Sequence, residues 1–154
     1  MRSQSNSRET RTRYIRSHTA AWKYIEKIDF ESIKHKVLMS NRGWREGHVE
    51  RAIVSYKMFL YICRVYNGWE HAPHPSMDEV WHAHILHTRR YFSDCQALFG
   101  GYLHHNPATV PEKKKEGERR SLQDAYKNTR RQMILAFGDN ADPEVLFAPV
   151  AQEL

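Results

Sequence analysis

No apolar run in this 154-residue chain approaches the ~18 residues that a membrane-crossing helix needs, so no membrane association is expected. No apolar stretch follows the N-terminal charges, so no secretory leader is expected either. Cysteine is scarce. Cys63 and Cys95 form no C-x-x-C pair, and both fall on apolar stripes of expected helices. They read as buried thiols in a reducing compartment, and the chain as cytoplasmic. Only seven glycines occur, with no glycine-rich loop to cradle a phosphate. G-x-S-x-G and H-E-x-x-H are absent too, which removes the usual serine hydrolase and zinc protease arrangements. Strand signals are also missing, because no segment alternates apolar and polar residues for long.

What is present is helical periodicity. With 40% hydrophobic and 27% charged residues, the chain can form one core and suits one domain. We expect an all-α, compact single-domain bundle of about five helices over residues 17–154, with a basic, flexible tail over 1–16. The net charge is +6. The tail holds Arg2, Arg8, Arg11, Arg13 and Arg16 against Glu9, a net +4, which leaves +2 for the rest. Such a tail reads first as solvated chain and second as a contact for an acidic partner or nucleic acid.

The first helix spans roughly 17–28, with Ala21, Trp22, Tyr24, Ile25 and Ile28 as its apolar set. Asp29 caps a second over 30–40, with Phe30, Ile33, Val37 and Leu38 inward. The third runs from 46 to 67, with Val49, Ala52, Ile53, Tyr56, Phe59, Leu60, Cys63 and Tyr66 at three- and four-residue spacing. Ser76 and Glu79 form a capping box, so a fourth starts at Met77 and continues to Gly100 or Gly101. Its stripe is Trp81, Ile85, Phe92, Cys95 and Phe99. A mixed-charge loop over 111–120 leads to the last helix, 118–137, with Leu122, Ala125, Tyr126, Thr129, Met133, Ile134 and Phe137 inward. A short turn over 142–147 closes the chain.

Seven of the ten histidines lie between positions 71 and 105. Imidazole is the commonest transition-metal ligand and a good acid or base at neutral pH. The run DEVWHAHILH, residues 78–87, looks like one cluster, but the helix divides it. At ~100° per residue, His82 and His84 point ~200° apart. His82 shares a face with Asp78, and His84 with His87, Tyr91 and Cys95. Glu79 and His82 have the i, i+3 spacing of di-iron bundle ligands. His104 and His105 follow in an extended YLHHNP segment. On a straight helix His82 and Phe99 stand ~25 Å apart, and the next six residues span at most ~20 Å. His105 would therefore reach His82 only barely, and His87 or Tyr91 with ease. His48 or Glu50 are other candidates for a third ligand. His71 and His74, in a proline-containing loop, read as solvated. A Cys95–His84 nucleophile pair is inert if Cys95 is buried.

The run DEVWHAHILHTRRYFSDCQALFGGYLHHNP, residues 78–107, resembles the core motif of the glycine-rich domain-containing protein-like family. Asp78, Trp81, His82, His84, Leu86, Tyr91, Asp94, Gly100 and His105 sit at its D-x-x-W-H-x-H-(I/Q)-L-x-x-x-x-Y-x-x-D, G and H positions. The segments AIVSYKMFLYI and AYKNTRRQMILAFGD extend the resemblance to about residues 46–139. It implies a helical module without a settled activity. Plant members carry further domains, including a glycine-rich one, for which this chain has no counterpart.

The leading expectation is a small metal-dependent enzyme, oxygenase-like or hydrolytic, acting on a small-molecule or peptide substrate. Asp78, His82 and His105 would hold iron, zinc or copper, while His84 and Tyr91 line the pocket as catalytic groups. A different class is a non-catalytic helical interaction module with a basic tail. A weaker third is metal-free acid/base catalysis by His84 with Tyr91.

Overall fold

Ser17 accepts a hydrogen bond from the Ala20 amide (3.2 Å), which caps the helix α1, His18–Glu26. It is the first of seven α-helices among the described residues of the computed structural model, which are 13–105 and 116–147. Then come α2 (Glu31–Ser40), α3 (Glu46–Val65), α4 (Pro75–Leu86), α5 (Thr88–Phe99), α6 (Glu116–Phe137) and α7 (Pro143–Leu146), with one 3-10 turn at Gly138–Asn140. No strand is present among the described residues, and no helix there is long and apolar enough to cross a membrane. Residues 1–12, most of the basic tail, and 111–115, the first half of the expected 111–120 loop, lie outside the described residues, while 116–120 already belong to α6.

The α3 helix is the central element. It packs against α1, α2, α4, α6 and α7. Val49, Ala52, Tyr56 and Phe59 on it are fully buried, as its spacing predicts, and Ile62, outside the expected stripe, is fully buried too. Cys63 and Cys95 are buried free thiols. Asp29 does accept from the Glu31 amide (2.9 Å) at the start of α2.

Two expectations fail around α4. The capping box does not form: α4 begins earlier, at Pro75, and the Ser76 hydroxyl bonds His48 Nε2 (3.2 Å) instead. Proline at a helix's first position loses nothing, because that N–H has no helical partner anyway. The expected single helix to Gly100 also breaks, at His87. There the His87 amide bonds the His84 carbonyl, and its Nδ1 takes the Ala83 carbonyl that the amide would have used (2.8 Å). With α7 this break raises the helix count from about five to seven. It also resets the helical phase, so α5 buries Tyr91, Asp94, Cys95 and Leu98. Phe92, expected in the core, is 45% exposed, and Ile134 on α6 is likewise exposed. Gly100, at φ 69°, ends α5 in the left-handed conformation that glycine adopts without steric cost.

The break lets α5 turn back along α4. Residues ten apart on one straight helix are ~15 Å apart. Yet Trp81 Nε1 donates to Tyr91 Oη at 3.0 Å, and His84 Nε2 meets Asp94 Oδ2 at 2.8 Å. His84 is 1% exposed. Its Nδ1 lies 2.7 Å from the Tyr56 hydroxyl of α3, and the Tyr24 hydroxyl of α1 donates to Asp94 Oδ1 at 2.6 Å. One buried polar chain therefore joins α1, α5, α4 and α3. Burial, with the Asp94 carboxylate beside Tyr24, raises the pKa values of both tyrosines and keeps their hydroxyls as donors.

Replacing His84 with Ala deprives Tyr56 and Asp94 of their shared partner inside the core. We expect it to lower unfolding stability by at least about 3 kcal/mol. Phe92→Ala, on the exposed side of α5, is expected to cost less than about 0.5 kcal/mol. Urea unfolding followed by circular dichroism compares them, and equal effects would contradict this account of the core.

Candidate metal centre

Asp78 and His82 are one turn apart on α4, so the helix itself places their side chains side by side. His105 arrives from residues 102–105, which have no regular secondary structure. One ligand atom from each of these three lies within 4.8 Å of the other two. His105 Nε2 is 2.7 Å from His82 Nε2 and 2.9 Å from Asp78 Oδ1, and His82 Nε2 is 3.5 Å from Asp78 Oδ2. The His105 ring stacks on Trp81, with centroids 4.1 Å apart and planes 15° from parallel. The His105 side chain is 9% exposed and that of His82 is 41% exposed, so the cluster has a floor and an open mouth.

The contacts at His105 Nε2 are more than one proton can serve. A neutral imidazole carries one N–H, which cannot donate fully to both His82 Nε2 and Asp78. A cation at the centre would instead accept lone pairs from all three. Ligands about 2.0–2.2 Å from one ion stand roughly 2.8–3.6 Å apart at right to tetrahedral angles. The 2.9 and 3.5 Å separations fall in that range, and the 2.7 Å between the two rings reaches it with an opening of about a tenth of an ångström. Two histidines and one carboxylate make a known set for iron or zinc, and leave coordination positions open.

Burial is the largest influence on Asp78 and raises its carboxyl above the ordinary 3.8, while the two imidazoles oppose the rise. Burial also lowers the His105 imidazole below the ordinary 6.5, with Asp78 pulling it up and His82 pushing it further down. Tyr126 of α6 is also raised, first by burial and then by the Asp78 charge, which places its phenol in the field of the cluster. From the sequence Tyr126 reads only as a core residue. Nothing local links position 126 to position 78, and only the packing of α6 does so.

The other expected site residues lie apart from this cluster. His84 has both ring nitrogens engaged in the core, as described above. Its ring meets that of Tyr91 edge-on at 4.9 Å. Tyr91 is 4% exposed and donates to the Leu103 carbonyl while accepting from Trp81. His48 packs edge-on against Trp44 and bonds Ser76, and Glu50 pairs with Lys34 at 2.8 Å, so neither completes the site. His87 is held by its own helix terminus, and His104 is exposed. The loop histidines are tied to the fold: His71, half-buried, bonds Gln132 at 2.9 Å, and His74 is buried at the start of α4. A cleft of about 500 Å³ lined by Trp69, Glu70, Asp124 and Asn128 lies elsewhere, with none of the three clustered groups in its wall.

A family model described as UCP032817-like matches residues 12–146. The chain belongs to the UCP032817-like family. That family is uncharacterised, and no glycine-rich domain-containing family is shown, which corrects the resemblance drawn from the W-H-x-H run. The physical reason lies in what the run does. Trp81, His84, Tyr91 and Asp94 all make buried contacts between α4 and α5, so the run reports the packing of two helices. Comparison with curated proteins and with solved structures finds no match.

Both shifts at the cluster favour uncharged forms. For Asp78, whose pKa is raised, stability is present below its ordinary pKa and is lost as pH rises through the folded value. For His105, whose pKa is lowered, stability is present above its ordinary pKa and is lost as pH falls through the folded value. In the metal-free protein His105 is expected to titrate with a midpoint below 6.5. Asp78→Asn removes the charge that holds it up and is expected to move the midpoint lower still. A pH series of histidine ring NMR resonances checks both, and an upward move in Asp78→Asn would contradict the account.

Proposed function

We propose that this UCP032817-like protein binds one divalent transition-metal ion through Asp78, His82 and His105 and acts as a small metal-dependent enzyme. The observation that carries this reading is the convergence of three donor atoms from two separate chain segments. Two come from a rigid helix turn, and the third crosses 23 positions of sequence to meet them. Such a set leaves open positions on the side of the exposed His82 ring. Zinc there would lower the pKa of a bound water to ~7 and favour hydrolysis. Ferrous iron would use the same positions for dioxygen and substrate. A small molecule or a peptide end suits an ion at an open mouth. The two free buried thiols support a reducing, cytoplasmic setting.

A second reading rests on the 2.7 Å separation of the two imidazole nitrogens, which is also a hydrogen-bond distance. On that reading the cluster fastens residues 102–105 to α4 in a non-catalytic interaction module.

Elemental analysis of protein purified without a metal-binding tag separates the two. About one ion per chain is expected, retained in His104→Ala and lost in folded His82→Ala and His105→Ala. Less than ~0.1 ion per chain after iron, zinc or copper loading would leave the second reading.

A further inference from the structure

We infer that Trp81 and Tyr91 are the positioning residues of the cluster: they hold His105, the one group in it that no helix places. This rests on the metal-binding reading above. Asp78 and His82 need no support beyond α4, since an α-helix fixes groups four residues apart. His105 belongs to a segment without helical hydrogen bonds, which would otherwise sample many conformations. Ordering such a segment costs backbone entropy, so an untethered third ligand weakens any ion site.

The structure holds that segment at two points. The Tyr91 hydroxyl donates to the Leu103 carbonyl, two residues before His105. The indole N–H of Trp81 donates to the same hydroxyl (3.0 Å) and so directs its single proton towards Leu103. Cys95, one turn beyond Tyr91, takes a hydrogen bond from the Leu103 amide, so both backbone polar groups of Leu103 are engaged. The face of the same indole then carries the His105 ring. Trp81 serves twice, with its edge orienting Tyr91 and its face setting the plane of the imidazole. Trp81 and Tyr91 are each 4% exposed, so neither contact competes with bulk water. Chain direction and ring plane are the two freedoms that decide whether the His105 Nε2 lone pair meets the ion. Tyr91, a catalytic candidate from the sequence, thereby acts through His105.

The test uses cobalt(II) alone, titrated into the full chain against a chromophoric chelator, with the ligand-field absorbance recorded. Tyr91→Phe keeps the ring and removes the hydroxyl. Trp81→Phe keeps an aromatic face and removes the N–H, and it serves if Tyr91→Phe does not fold. Each folded variant is expected to bind cobalt about 10-fold more weakly than the wild type, with an altered absorbance band, because supports of this kind typically contribute 10- to 100-fold to metal affinity. A role in packing alone would lower the unfolding temperature and leave the folded protein's affinity and spectrum unchanged, and that result overturns the inference while metal binding stands. Absence of cobalt binding by the wild type overturns both.

Discussion

The buried contact between His84 and Asp94 is the constraint on which the rest of the molecule depends. Both side chains sit where water cannot replace a lost partner, so the helices that carry them must approach until the bond is made. That requirement turns α5 back on α4, and the Tyr24 and Tyr56 hydroxyls extend it to α1 and α3. An apolar contact would tolerate sliding by an ångström or more. A hydrogen-bonded chain of four polar groups does not, so it selects one arrangement among those a hydrophobic core alone would accept.

The candidate site follows from that arrangement. With α5 folded back, Tyr91 lies beside the Trp81 edge and Leu103 comes within reach of its hydroxyl. The residues after Gly100 then run beside α4. His105 lands on the Trp81 face, opposite Asp78 and His82. The two faces of α4 thus divide the work that its crowded histidine run suggests. The His84 face locks the fold, and the Asp78/His82 face meets the returning chain near Tyr126.

Much of the fold is legible in the residues. Apolar spacing at three and four marks α1, α2, α3 and α6, because one side of each helix must face the core. The 200° separation of His82 and His84 follows from helix geometry and correctly divides the run into two faces. The break at His87 leaves no such mark. Neither glycine nor proline stands there, and the histidine side chain substitutes for the backbone donor. From a continuous helix Phe92 therefore reads as core, and His105 stands at the limit of its reach. Similarly, a serine with glutamate three residues on signals a cap, but a proline start and a tertiary bond to His48 prevail.

By itself, then, the sequence determined the all-α class, the apolar face of most helices, and the pairing of Asp78 with His82, since these depend on spacings within one helix turn. Only the tertiary structure decided that α5 reverses on α4, that His84 belongs to the core, and that His105 joins the Asp78/His82 face. Those outcomes depend on contacts between residues ten to seventy positions apart, whose energies are decided by burial and partner geometry, and no local pattern of residues encodes them.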